Sequence, residues 1–259
     1  HDALPICENM LRVATLNVLY HPHSRLRERL PLMQAQARDL DVDVLALQEV
    51  DRAAGVDRSL GRAIEAATYR AVMDERTSFP RHWDACSLLS RRTAGSVTRH
   101  DVVSMPHHRV VQRILLRRAR RDIAILNTHL HYPLDAAGES ARLMQVRRIL
   151  ALVAEQPEET PTVIMGDLNG PPTEPYMHAL NEAGFTSAYH VVHGRDPART
   201  FPSGLVASAC NATEPETIDF IMVRGCRVLS CDLAFDQPDP KDPTLFPSDH
   251  LGLVCDLEL

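Results

Sequence analysis

Lysine is all but absent from this 259-residue chain, with Lys241 the single one among 28 basic residues. The arginine that replaces it is the bias a GC-rich genome imposes and carries no functional message. Positive charge is also the minority, since 34 Asp and Glu set the formal charge at −6. This balance excludes a protein that grips duplex nucleic acid through a broad basic face, while local basic clefts stay open. Aromatics are scarce, at 5%. The six cysteines (Cys7, Cys86, Cys210, Cys226, Cys231 and Cys255) form no CxxC pair. A disulfide scaffold and a zinc or redox dithiol are thereby ruled out, leaving small buried hydrophobes. No window approaches the roughly 18 apolar residues of a membrane helix. The first twenty residues lack the basic, apolar, small-residue order of a signal peptide. The chain opens on His1, so a trimmed or processed start is expected. The compartment stays open, with cytoplasm preferred over secretion. Asn211-Ala212-Thr213 spells a glycosylation sequon, a match short enough to arise by chance.

What is present is 44% hydrophobic and 24% charged sequence, enough for one globular domain over residues 1–259, expected as a monomer. Runs rich in Val, Ile and Leu predict strands at 11–19, 43–50, 85–90, 109–117, 122–130, 162–167, 217–223, 226–234 and 250–257. Helices fit at 24–40, kinked near Pro31, and at 139–154, with Leu143, Val146, Leu150 and Val153 on one face. A third fits at 174–183, capped by Thr173 and stopped by Gly184. Only a few residues join 109–117 to 122–130, which makes an antiparallel hairpin and argues against a purely parallel doubly wound sheet. Two mixed sheets face to face, with helices outside, use every element and gather the strand ends along one rim. The aperiodic stretch 193–216 is the candidate substrate loop.

Polar residues that interrupt apolar strands carry the functional signal, because an unpartnered carboxylate is costly to bury. Asn17 breaks VATLNVLY, Glu49 breaks VLALQEVD and His129 breaks ILNTHLHY. Asp167 and Asn169 lie in VIMGDLNGPP, Asp219 in TIDFIMV, and Asp249 and His250 in PSDHLGLV. Singly, each has a plain account: an ion-paired Glu49, a core amide at Asn17, an Asp-Asn turn at 167–169. Together at one rim they have the composition of a hydrolytic metal site. Hard oxygen ligands without cysteine suit Mg²⁺, with Mn²⁺ as the alternative, better than Zn²⁺. Phosphoester cleavage needs a cation, a group that orients water, and donors for the developing charge, and each has a candidate here.

In this order the motifs TLN (15–17), LQEVD (47–51), LLSR (88–91), NTHL (127–130), GDLN (166–169), IDFI (218–221) and SDH (248–250) resemble the endonuclease/exonuclease/phosphatase superfamily. That superfamily includes deoxyribonuclease I-like enzymes, sphingomyelinases and inositol polyphosphate 5-phosphatases, and the resemblance spans almost the whole chain. It implies a four-layered α/β/β/α sandwich and a Mg²⁺-dependent phosphoester hydrolase. It also implies that Glu49, with Asn17 and Asp249, binds the metal and that Asp167 orients the attacking water. Asn169 and His129 would contact the phosphate, His250 would assist transfer, and Asp219 would fix the His250 ring. Histidine in the NTHL motif, where exonuclease III-like repair enzymes carry tyrosine, tilts the resemblance away from abasic-site repair. The pattern breaks at Ala85-Cys86-Ser87, where many relatives have Gly-Asn-Ala, and at Thr217, where Arg is frequent.

Arg113 and Arg142 are candidate phosphate contacts, with surface ion pairs as the alternative, and Phe201 is a candidate ring for a base or lipid. Arg117, Arg118, Arg120 and Arg121 read as a charged, solvated hairpin tip. His129-Leu130-His131 matches the HxH of an amidohydrolase barrel, which the hairpin contradicts. The expected substrate is a phosphodiester ahead of a phosphomonoester, on a nucleic acid, nucleotide, or lipid or inositol phosphate. Acidic charge and few aromatics favour small, lipid or single-stranded substrates over long duplex DNA. A non-catalytic binding protein on the same fold is the competing reading.

Overall fold

The computed structural model describes residues 9–21, 23–51, 54–71, 85–118, 120–210 and 212–259. Cys7 and Asn211, the sequon asparagine, lie outside the described residues. The chain opens with β1 (Met10–Asn17), α1 (Leu26–Leu40), β2 (Val44–Val50), α2 (Val56–Ala63), β3 (Ala66–Ala71) and β4 (Ala85–Arg91). There follow β5 (Ser96–Met105), β6 (Arg109–Arg118), β7 (Arg121–His129), α3 (Ala136–Val153), β8 (Thr162–Asp167) and α4 (Pro175–Glu182). The last elements are β9 (Thr186–Ser187), α5 (Ala188–His193), β10 (Asp219–Arg224), β11 (Arg227–Ala234) and β12 (Gly252–Glu258).

Two six-stranded sheets result, one ordered β11-β12-β1-β2-β4-β3 and the other β5-β6-β7-β8-β10-β9. Each contains one parallel pair, β1 with β2 and β7 with β8, bridged by α1 and α3 respectively. All other pairings are antiparallel, including the expected hairpin, which Arg118 and Arg121 close. Strand alternation sends Leu11 and Val13, Ile123 and Ile125, Val163 and Met165, and Ile221 and Val223 into the layer between the sheets. The opposite faces pack outward. Leu45 and Leu47 meet Met33 of α1 and Leu60 of α2, while Leu126 and Ile164 meet Ile149 of α3 and Leu180 of α4. The fold is therefore the α/β/β/α sandwich with mixed, mainly antiparallel sheets. Each fully buried aliphatic side chain contributes roughly 2 kcal/mol.

Several local expectations shift. Pro31 lies inside a continuous α1, and α4 starts from Glu174 instead of Thr173. The buried face of α3 keeps Val146 and Val153 but extends to Ala141, Arg142, Gln145, Ile149 and Leu152, so two polar side chains also face inward. Strands β3, β5 and β9 and helices α2 and α5 escaped the sequence reading. β5 is an edge strand whose residues are mostly exposed or half-buried, and burial is what writes alternation into sequence.

A buried amide pair crosses the inner layer. Gln48 Nε2 donates to Thr15 Oγ1 (3.0 Å) and to Asn127 Oδ1 on the facing sheet (2.8 Å). Asn127 Nδ2 returns bonds to the carbonyls of Leu47 and Ser87, both at 3.0 Å. The ends of β2, β4 and β7 are thereby fixed together. Asn127→Ala strands the Gln48 amide and two carbonyls in the core and is expected to cost about 3 kcal/mol, read by urea denaturation. A loss under 1 kcal/mol would show that water or a neighbour satisfies them.

Candidate active site

The inner rows of side chains that begin as core aliphatics end in polar groups at one rim. Asn17 terminates β1, His129 terminates β7, Asp167 terminates β8 and Asp219 opens β10. Register sets them side by side, with Asp167 flanked by His129 on one side and Asp219 on the other. Gly166, at φ +141°, permits this approach, since a Cβ there would stand 2.0 Å from the Thr128 carbonyl oxygen. Strict alternation would send Glu49 to the outer face with Leu45 and Leu47. Instead Glu49 adopts φ +51° where the β2–β4 register slips between Leu47 and Val50, which re-aims its carboxylate. Asn169 is likewise left-handed, at φ +54°.

Asn17 Nδ2 donates to Glu49 Oε1 at 3.0 Å and to Asp167 Oδ2 at 2.9 Å. Asn17 Oδ1 accepts from the Leu19 N–H at 3.0 Å, which fixes the amide's orientation. A nitrogen therefore faces the carboxylates, and Asn17 supplies hydrogen bonds there. Asn17, expected among the metal-binding residues, is thus engaged with both carboxylates through its nitrogen.

Two imidazoles face the same Asp167 Oδ2, His129 Nε2 at 3.4 Å and His250 Nε2 at 3.8 Å. His250 Nδ1 donates to Asp219 Oδ2 at 2.9 Å. Asp167, Asp219 and His250 offer atoms within 4.8 Å of one another, the one compact group of possible metal ligands among the described residues. Burial alone would discharge His250, but the carboxylates of Asp219, Asp167 and Asp249 outweigh it and hold the ring well above its ordinary pKa. Burial raises Asp219 to about 6 against the pull of His250. Burial also raises Glu49, with Asp249 adding to the effect while His129 and the Asn17 bond oppose it.

Two arginines missed in the sequence shape the pocket. Arg109 Nη1 lies 3.2 Å from His129 Nδ1, and a guanidinium only donates, so Nδ1 is the acceptor and Nε2–H points at Asp167. Arg29, fully buried in α1, donates to the carbonyls of Val18, Leu19, Ser24 and Pro247, and its charge acts on Asp249 and Glu49. Its sequence signal was a charge on the apolar stripe of Leu26, Leu30 and Met33.

Loop 193–216 is a brace for the site. Thr200 Oγ1 accepts from the N–H groups of Ile218 and Asp219, the Thr200 carbonyl accepts from Leu251, and Ser203 binds the backbone of Ser248 and Asp249. Phe201 rests its ring on His250, with centroids 4.7 Å apart. Asn169 donates its backbone N–H to Asp167 Oδ1 and its Nδ2 to the Leu130 carbonyl, both at 2.9 Å.

Arg113 and Arg142, candidate phosphate contacts with ion pairing as the alternative, are each engaged with carboxylates and carbonyls. Arg113 is fully buried and binds Asp101, Glu155 and the Leu152 carbonyl at the C-terminal end of α3. Arg142 forms a bidentate pair with Glu174 at 2.7 and 2.6 Å and donates to the carbonyls of His131 and Pro133. Both guanidiniums are held by structural partners. At the hairpin tip, Arg117 pairs with Asp122 and Arg118 with Asp43.

The family model described as Endonuclease/Exonuclease/phosphatase family matches residues 14–250. The chain belongs to this family. Its members are hydrolases of phosphoesters and generally use divalent metals. Nocturnin of Drosophila melanogaster is 25% identical over 260 residues, covering 84% of this chain and 39% of that protein. The chain thus spans less than half the length of this curated relative. The human Nocturnin catalytic domain with bound sulfate superposes with a TM-score of 0.78 at 21% identity, covering 96% of this chain and 93% of that one. D. rerio TDP2, complexed with a single-strand DNA product, gives 0.78 at 15% identity, covering 96% and 99%.

A ring held above its usual pKa keeps its proton through neutral pH and loses it on the alkaline side. Asp219→Asn removes the first of the carboxylates that outweigh burial, so the His250 titration is expected to move to lower pH. NMR of the histidine C–H resonances reads this, and a stationary midpoint would show that Asp219 does not set the ring's charge.

Proposed function

We propose that this family member is a divalent-metal-dependent hydrolase of phosphodiesters. The observation that carries the reading is Asp167 Oδ2, which takes the Asn17 amide and faces both imidazoles, beside Glu49 and Asp249, carboxylates close enough to repel. Neither Glu49 nor Asp249 joins a salt bridge among the described residues, and Arg29 directs its N–H groups to carbonyls and Ser24. A half-buried Glu49 and a buried Asp249 that repel each other are hard donors that fit Mg²⁺, and Mn²⁺ serves the same donor set. Glu49 and Asp249 would hold the divalent cation, which would supply charge neutralisation at the phosphoryl oxygens.

The remaining work falls to this chain's own groups. Asp167 orients a water molecule for in-line attack and receives its proton. His129 presents Nε2–H, and Asn169 presents its second amide hydrogen, to the phosphoryl oxygens. The His250 imidazolium, held by Asp219 and flanked by Phe201, gives an N–H to the developing charge. A diester is favoured over a monoester because the donors are neutral amides and imidazoles with a single imidazolium, whereas a terminal phosphate dianion calls for more cationic groups. The sulfate on human Nocturnin and the single-stranded product on TDP2 support an anionic, strand-like substrate here.

Hydrolysis of a panel with Mg²⁺, holding single-stranded and duplex oligonucleotides, sphingomyelin, an inositol polyphosphate and a chromogenic diester, tests this. Asp167→Ala and His250→Ala are expected to lose about a thousandfold in kcat with unchanged far-UV dichroism. Near wild-type turnover in either variant overturns the assignment, and a wild type inert on every substrate favours the binding-protein reading.

Glu49 must lose its proton to hold a cation, and its pKa is raised. Mg²⁺ binding is therefore expected to weaken as pH falls, starting above the ordinary carboxylate range. At neutral pH, Mg²⁺ raises the melting temperature of the wild type and leaves Glu49→Gln unmoved. An equal rise in both places the cation elsewhere.

A further inference from the structure

Beside the phosphate-facing residues stands a group of rings that the proposed mechanism does not use. His107 and His131 stack with centroids 4.2 Å apart and planes 19° from parallel, and Tyr132 tilts against His131 at 5.6 Å. Tyr132 is 66% exposed, and His107 lies open on the turn after β5, its backbone left-handed at φ +60°. Stacked rings turned to water are unexpected in a chain with so few aromatics, and they are rigidly mounted.

The mounting comes from α3. Gln145 accepts from the His131 N–H at 2.9 Å and donates to the Pro106 carbonyl at 2.8 Å, tying both ring-bearing loops to one side chain. Arg142, locked by Glu174, holds the carbonyls of His131 and Pro133 at 2.8 and 2.7 Å. The inward polar pair on α3 thus acts as a base plate. The rings also abut the site directly. His131 is two residues from His129, and the Leu130 carbonyl between them takes the Asn169 amide. The charge of Arg109, which contacts His129, also acts on His131.

We propose that the His107–His131–Tyr132 face stacks the nucleobase of a phosphodiester bound at Asp167 and His129. The inference rests on the phosphodiesterase reading and narrows its substrate class to nucleotides or single strands, in which the base is free to leave its neighbours. A preassembled ring surface loses little entropy on receiving a base, and the neighbouring positive charge complements the attached phosphate.

Two p-nitrophenyl diesters with the same leaving group, one of adenosine 5′-phosphate and one of methyl phosphate, give the first arm. The wild type is expected to favour the adenosine ester in kcat/KM. His131→Ala is expected to cut that preference about tenfold and His131→Phe to restore it. Equal preference in the wild type, or an unchanged ratio in His131→Ala, overturns the base platform and leaves the phosphodiesterase reading intact. The second arm needs no turnover: 2-aminopurine quenching, with the free nucleotide 5′-phosphate and with a single-stranded tetranucleotide carrying that base. Quenching that weakens in His131→Ala and Tyr132→Ala supports the platform even if neither ester is cleaved, an outcome that would sink the phosphodiesterase reading alone. Quenching of the strand only, or of the free nucleotide equally, names the source of the base. No quenching by the wild type overturns the platform whatever the hydrolysis shows.

Discussion

A single amide nitrogen joins the halves of this site. Asn17 Nδ2 binds Glu49 from its own sheet and Asp167 from the facing one. The two carboxylates repel, and only a donor between them, or a cation, lets them stand at one rim without separating the sheets. The buried contact of Gln48 with Asn127, one layer deeper, keeps the sheets in step, so the distance Asn17 must span is set by core packing. The arrangement is a hinge closed at two depths. The inner bolt is neutral and structural, and the outer one is charged and chemical.

The sequence made the site legible because every inner row of aliphatics ends in a residue that apolar burial cannot explain. Asp167 follows the inward Val163 and Met165, Asp219 precedes the inward Ile221 and Val223, and His129 follows Ile123, Ile125 and the inward amide Asn127, so alternation alone predicts their common direction. Glu49 breaks that rule, and only its left-handed backbone shows how it joins the group. The arginines were the hardest to read. Arg113 and Arg142 looked like lone cations available to a phosphate, yet both have carboxylate partners dozens of positions away in the chain. Conversely, Arg29 and Arg109 were passed over, although they set the field on Asp249 and the tautomer of His129. Sequence shows where a charge sits, whereas its partner is decided by tertiary pairing.

The edge strand β5 and the short helices were lost for a related reason. A half-exposed strand needs no period, and α2 and α5, of 8 and 6 residues, are too short for theirs to stand out. The aperiodic loop 193–216, read as a candidate substrate loop, is bonded to the backbone around the site. Thr200 and Ser203 hold the backbone that carries Asp219, Asp249 and His250, and Phe201 covers the His250 ring.

The two sheets are woven differently. β5 to β10 form their sheet from one unbroken stretch of chain, whereas the other sheet seats β1 between β2 and β12, pairing Met10 with Glu258. Closing that seam means bringing together segments nearly a whole chain length apart, the kind of contact that forms late in folding and opens early in unfolding. Asp249 and His250 sit just before β12, so parting the β11–β12 pair from β1 removes them from the rim while the sheet bearing Asp167 stays intact. Activity should therefore be extinguished by a local, reversible detachment well before the molecule loses its bulk structure, which makes the seam a natural point of thermal inactivation.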